Sequence, residues 1–280
     1  MIKIVTDSTA YLPEEMVHEH DIQVVPLYVH FGTEAFREGV ELSNEEFYQK
    51  LKEAPELPTT SQPSAGEFHS VFEPLIDAGH EIITLTISSK ISGTWNSAMA
   101  AKGMLPDAPI SVVDTFSTSV GLHLMVDAAV QAAAAGATRQ EIVEQIEQIK
   151  EKMQIFFVVD TLEYLAKGGR IGNGKAFLGT LLKVKPILVL QEGAIEPLEQ
   201  VRSKRKATAR MIELVEEYVG GNGDSSKVAV THALVPQDAE EISTELVGRL
   251  GCDLPLMGEL GPVIGTHTGP GMVGIAAYYS

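Results

Sequence analysis

The chain has 280 residues, 44% hydrophobic and 21% charged, which suits two modest globular domains or one large one. Its 38 acidic and 21 basic residues give a formal net charge of -17, a field that repels nucleic-acid phosphates and anionic lipid surfaces and excludes both as expected direct partners. One cysteine, Cys252, rules out an internal disulfide and fits a reducing, cytoplasmic compartment. Asp7 arrives too early for a signal peptide, and the blandest run, residues 128–137, is far too short to span a bilayer.

In chain order, residues 2–6 form a short predicted strand that runs into the hydroxyl-rich turn Asp7-Ser8-Thr9, with a helix starting near Pro13. Residues 22–31 are apolar enough for a strand, which Pro26 demotes to an edge or breaks. Ser43 and Glu46 have capping-box spacing and open a helix to about Ala54. Residues 57–64, L-P-T-T-S-Q-P-S, frame hydroxyls with prolines and show no periodicity. Ser64 and Glu67 then make a second capping box, and Gly79 closes that helix.

Residues 82–87 alternate apolar and threonine side chains, the pattern of a buried strand; residues 88–94 are a small polar loop, and an alanine-rich helix follows from Thr94. A strand, a polar loop and a helix start leave backbone N–H groups unpaired and favour an anion. The plainer alternative is that Ser92 or Thr94 caps the helix. A strand at 110–114 ends in Asp114-Thr115, a long helix spans 119–135, and Thr138 with Glu141 opens another. This alternation predicts a parallel sheet with helices on both faces. Ligands bind such sheets at the strands' carboxyl ends, where Asp7-Ser8, residues 88–94 and Asp114-Thr115 fall.

After about Met153 the pattern changes. A strand at 156–160 precedes a short helix at 162–167 that Gly168-Gly169 ends, and strands at 187–190 and 195–201 flank a hairpin-like turn. Helices at 205–219 and 236–250 enclose a strand at 228–232, and two final strands bracket residues 265–271. Hairpins among helices predict a mixed sheet. The expected fold is α/β in two domains: an N-terminal parallel-sheet domain over 1–152 and a C-terminal mixed α/β domain over 153–280.

Residues 169–176 approach the P-loop pattern, but Ala176 replaces the hydroxyl that would hold magnesium, and a helix rather than a strand precedes them. Arg170 is a cation on a glycine-rich turn, suited to a carboxylate or phosphate. His267 sits between two threonines, with Gly265, Gly269 and Gly271 allowing close backbone approach. Ser92, His267 and Asp7 or Asp114 could form a serine hydrolase acting on acyl esters, although the G-x-S-x-G elbow lacks its first glycine. Hydroxyls can equally donate to a bound carboxylate without any activated nucleophile. His, Cys and carboxylate spacings offer no metal site.

Taken in order, I-V-T-D-S-T at 4–9, P-T-T-S-Q-P-S at 58–64, I-S-S-K-I-S-G-T at 87–94, V-V-D-T at 112–115, L-A-K-G-G-R-I at 165–171 and G-T-H-T-G-P-G at 265–271 resemble the DegV family of bacterial fatty-acid-binding proteins. The resemblance covers nearly the whole chain. It implies an acyl chain buried between or within two α/β domains, with Thr60, Ser92 and Gly93 at the carboxylate and His267, Thr268 and Arg170 supporting them. It further implies a subunit with no catalytic residue, metal or cofactor of its own. Such a subunit presents a long-chain fatty acid to a separate ATP-binding fatty acid kinase, for acyl-phosphate formation and phospholipid synthesis. A basic stretch in this acidic chain, with Arg202, Lys204 and Arg205, is then the expected docking surface, the plainer alternative being a solvated helix start.

Overall fold

The computed structural model describes residues 1–172, 185–222 and 225–279. It begins with β1 (Ile2–Asp7), a 3-10 turn at Ser8–Ala10, α1 (Glu14–Glu19) and β2 (Gln23–Val25). Then come β3 (Tyr28–Phe31), β4 (Glu34–Arg37), α2 (Asn44–Glu53), β5 (Thr59–Ser61), α3 (Ala65–Asp77) and β6 (Glu81–Thr86). α4 (Thr94–Gly103), β7 (Ile110–Asp114), α5 (Ser119–Ala134) and α6 (Arg139–Lys152) follow.

Strands β2, β1, β6 and β7 lie side by side in that order, all parallel. α3 and α4 bury Phe68, Phe72, Ala98 and Ala101 against one face, and α5 and α6 cover the other with Leu122, Met125, Ile142 and Ile146. This is the predicted doubly covered parallel sheet. All three capping boxes form: Ser43, Ser64 and Thr138 each accept the N3 amide while Glu46, Glu67 and Glu141 reach back.

The expected strand at 22–31 is two strands. Pro26 lies between them, so β2 finishes the parallel sheet while β3 turns away to join β4 and β5 in a separate antiparallel sheet. β5 occupies the stretch that showed no periodicity; Thr60 lies opposite Val29 in its register. Three residues are too few for alternation to register.

The second half runs β8 (Gln154–Val158), α7 (Glu163–Lys167), β9 (Lys185–Gln191), β10 (Ala194–Val201), α8 (Lys204–Val219) and β11 (Ser226–His232). It ends with α9 (Pro236–Leu250), β12 (Leu256–Glu259), α10 (Pro262–Thr268) and β13 (Val273–Tyr279). The strands form one mixed sheet, β10-β9-β8-β13-β11-β12, antiparallel except where β12 joins β11. The β9–β10 turn is the predicted hairpin, with Glu192 and Gly193 both at positive φ, as a two-residue turn of this hand requires. Its tip docks on the first half: Ser88 Oγ donates to the Gly193 carbonyl at 2.7 Å.

Residues 265–271 are not simply a loop between strands. Most of them belong to α10, a seven-residue buried helix. Gly265 permits it, because a Cβ there would come within 2.8 Å of Phe47 and 2.9 Å of the Tyr48 hydroxyl on α2. Glycine is a poor helix former, so packing rather than propensity specifies this element.

Candidate functional site

The carboxyl edge of the parallel sheet faces one side of the mixed sheet across an internal slot. Ile87, Ile91 and Val120 line it from the first half, and Ile195, Leu190, Phe157, Ile275 and Thr231 from five adjacent strands, β10 to β11. At about 4.8 Å between strands, the slot crosses roughly 19 Å. It is slender. Its cavity volume is about 70 Å³, a file of several waters at about 10–15 Å³ apiece.

Polar side chains gather at the slot's wall. Thr60, Ser92, Arg170, His267 and Thr268 all line it, although they come from β5, the β6–α4 loop, the turn after α7 and α10. Thr60 Oγ1 and His267 Nε2 are hydrogen-bonded at 2.8 Å, a contact between residues 207 apart in the chain. Burial, with the nearby Arg170 charge, pushes the His267 imidazole down to about 4, so it is neutral at physiological pH. Arg170 donates Nε to Ile91 O at 3.2 Å and Nη1 to Gly168 O at 2.7 Å, which fixes the guanidinium against the Ser92 loop. Half burial lowers its pKa without threatening its charge. Thr268 is no free donor, since its hydroxyl bonds Ile264 O at 3.0 Å; it offers lone pairs only.

Gly93, rather than Ser92 or Thr94, is the N-cap of α4, and no side chain caps that helix. Ser92 Oγ instead accepts the Thr94 amide at 3.3 Å and pairs with Thr94 Oγ1 at 2.8 Å. Gly93 sits close beneath Gln62: a Cβ there would lie 2.9 Å from the end of that side chain, which would have to swing aside. Sequence reasoning passed over Gly168 as a mere helix stop. A Cβ on it would fall 2.2 Å from His267 Nδ1, so a methyl group there displaces the ring.

Thr60, Arg170 and His267 have a second outlook. They also wall an open surface cleft formed with Pro58, Tyr164, Lys167 and Gly168. One layer of side chains thus separates the interior slot from solvent at its polar end.

The hydroxyl chemistry does not assemble a hydrolase. Ser92 is paired with Thr94 and His267 with Thr60. Asp7 accepts from Thr9 and the Ile87 amide, and Asp114 from the Ser89 and Phe116 amides, so neither orients His267 as a triad requires. Among the described residues no group of three His, Cys, Asp or Glu could hold a metal, and no helix is long and apolar enough to cross a membrane. In the P-loop-like stretch, Asn173, Gly174, Lys175 and Ala176 lie outside the described residues.

The basic stretch is less free than its sequence suggests. Lys204 pairs with Asp238 at 2.9 Å, and Arg210 binds Glu199, Glu213 and Glu217. Arg202, Arg205 and Lys206 remain exposed.

Fold and site define a three-sheet α/β protein with a slender apolar slot that ends at a polar cluster carrying one cation. The chain belongs to the DegV family: the model described as an uncharacterised protein of that family matches residues 1–280. A DegV domain-containing protein of Halalkalibacterium halodurans is 41% identical over 278 residues, 99% of this chain and 98% of the relative. A fatty-acid-binding DegV family protein from Thermus thermophilus superposes with a TM-score of 0.94 at 35% identity, covering 100% of this chain and 99% of that one. A stearic-acid-binding protein from Eubacterium ventriosum does so at 0.93 and 31% identity, covering 100% and 98%.

Proposed function

We propose that the protein binds a long-chain fatty acid in the slot and presents its carboxylate to a separate ATP-dependent kinase for acyl-phosphate formation, in the service of phospholipid synthesis. The observation that carries this is the double outlook of Thr60, Arg170 and His267, which places one polar cluster both against the apolar slot and against an open cleft. Burial contributes about 0.8 kcal/mol per CH2, so a sixteen-carbon tail gains about 10 kcal/mol before costs. Neutral hydroxyls from Thr60 and Ser92, the Gly93 backbone, His267 and one guanidinium hold the head group, which stays reachable from the cleft; Thr268, its hydroxyl already given to Ile264, supports the site from beside them. The protein itself carries no catalysis in this scheme. Residues 1–152 and 153–280 act as two domains, each supplying one wall.

Exposed Arg202 and Arg205, beside Lys204, form the docking surface for the kinase on this reading. Extraction of the purified protein with organic solvent, followed by mass spectrometry, should yield a fatty acid in near-stoichiometric amount. Clean, lipid-free protein that also ignores added oleate would sink the proposal. Formation of acyl-phosphate from ATP should require a second protein, and turnover by this chain alone would favour an enzyme.

A further inference from the structure

Glu38 is a carboxylate at 3% exposure with no cation paired to it among the described residues, and the chemistry described so far makes no use of it. It follows β4, in the antiparallel sheet, yet its Oε1 accepts the Val263 amide at 2.7 Å across 225 residues of chain. The same oxygen accepts the Tyr11 hydroxyl at 3.1 Å, and Tyr11 Oη in turn accepts the Ile264 amide at 3.1 Å. Oε2 accepts Ser8 Oγ, which itself accepts the Leu27 amide at 3.0 Å. Two consecutive amides in the first turn of α10 are therefore held by one carboxylate and one phenol from the first half. Gly261 lies so near that a Cβ would be 2.4 Å from the Tyr11 ring and 3.0 Å from Glu38 Oε1. Tyr11 reaches this place only at φ 48, an uncommon backbone region for a non-glycine residue.

We propose that Glu38, with Tyr11 as its relay, is a positioning residue that sets the rotation and depth of α10 and so aims His267 and Thr268 at the head-group end of the slot. The inference rests on the fatty-acid reading for its ligand but not for its geometry. The Val263 amide and the Ser8 and Tyr11 hydroxyls all donate to Glu38, so the ionised form accepts the whole set; a proton on the carboxyl makes one oxygen a donor and forces the Ser8 or Tyr11 hydroxyl to turn away. The titratable groups around it are Asp7 on β1, Tyr11 after the 3-10 turn and Tyr48 on α2, with no cation among them. Burial raises Glu38 to about 7, so the clamp loosens as pH falls below neutrality.

The test measures two things on the same samples: oleate affinity and the His267 imidazole resonances, identified by their loss in His267→Gln. Glu38→Gln should weaken oleate about tenfold, shift the His267 resonances and flatten the fall in affinity between pH 8 and 6.5. Tyr11→Phe, a milder change, should move both readouts the same way, and the double variant should be little worse than Glu38→Gln alone. Val228→Ala, a core change on the helix-covered side of the mixed sheet, should move neither. Unmoved His267 resonances in Glu38→Gln would overturn the proposal, as would Val228→Ala moving them equally. If the parent binds no oleate at all, the fatty-acid reading fails, while the His267 resonances still decide the positioning role.

Discussion

The two faces of the mixed sheet are built from the same strands and are both largely apolar, yet they have different fates. Phe156, Val158, Ile187 and Val189 point to one side, where Met211 and Val215 of α8 and Ile242 and Leu246 of α9 pack them into a closed core. Ile155, Phe157 and Leu190, their immediate neighbours, point to the other side and line the slot. Strand periodicity makes both faces hydrophobic, but it does not say whether helices or a ligand will cover them. The difference comes from what lies opposite. Long amphipathic helices fill one face, while the loops at a parallel sheet's carboxyl edge cannot fill the other.

This contrast can be broken on either side. Ile187→Ala removes a side chain at 0% exposure from the helix-covered face and should cost about 2–5 kcal/mol in urea unfolding, with oleate affinity nearly unchanged. Loss of affinity without loss of stability would show that the two faces are not separate. Leu190→Trp places bulk in the slot, and oleate binding should drop by an order of magnitude or more. Its stability cost should sit at the low end of the roughly 1–3 kcal/mol seen for overpacked cores, because the space is not occupied by protein. Thr60→Val and Ser92→Ala delete single hydroxyls and should each weaken fatty-acid binding by about 1.5–3 kcal/mol, read by calorimetry, with little change in folding. If both bind like the parent, the carboxylate lies elsewhere.

A smaller effect sharpens the comparison through pH. Burial raises Glu38 to about 7 and Asp7 to about 6, above the ordinary carboxyl range of the unfolded chain. The folded state therefore binds more protons than the unfolded state near neutrality, and these two groups add stability as pH falls from 8 to 6.5. His267, pushed down to about 4, and His123 and His232, also lowered by burial, act in the opposite sense as pH approaches their unfolded value near 6.5, so the gain is largest between about pH 8 and 7. Over that window thermal stability should rise slightly while oleate affinity declines. Parallel trends in the two measurements would refute the separation. The smallest change expected is Arg202→Glu with Arg205→Glu, which should leave lipid binding intact and slow kinase-dependent phosphorylation in a salt-sensitive way.

Elements whose cause is local could be read from the sequence. Each capping box places both partners within four residues, and α9, from Pro236 to Leu250, starts at a proline and stops before Gly251, which adopts positive φ. Elements whose cause is distant could not. Residues 262–268 also start at a proline and stop before a positive-φ glycine, Gly269, but the packing that specifies this short helix comes from Phe47, Tyr48, Glu38 and Tyr11, all far off in the chain. The brevity of β4 and β5 hid the antiparallel sheet. Thr60 and His267 were paired in expectation only through family resemblance; no spacing rule links residues 207 apart. The ion pairs of Lys204 and Arg210 were equally invisible, since charge counts do not place Asp238 or Glu199 opposite them.

The span of the α10 contacts has a consequence for how the molecule is made. Tyr48 to Leu260, Glu38 to Val263 and Thr60 to His267 each join residues more than 200 positions apart. Closing such loops costs chain entropy that only the assembled partners recover, so these contacts belong to the slow end of folding. A growing polypeptide at the ribosome, emitting about 5–20 residues per second, holds Thr60 for at least about ten seconds before His267 exists to meet it. Until then the half-built cavity is an uncovered apolar wall. Quality control, rather than chemistry, is what first meets this site.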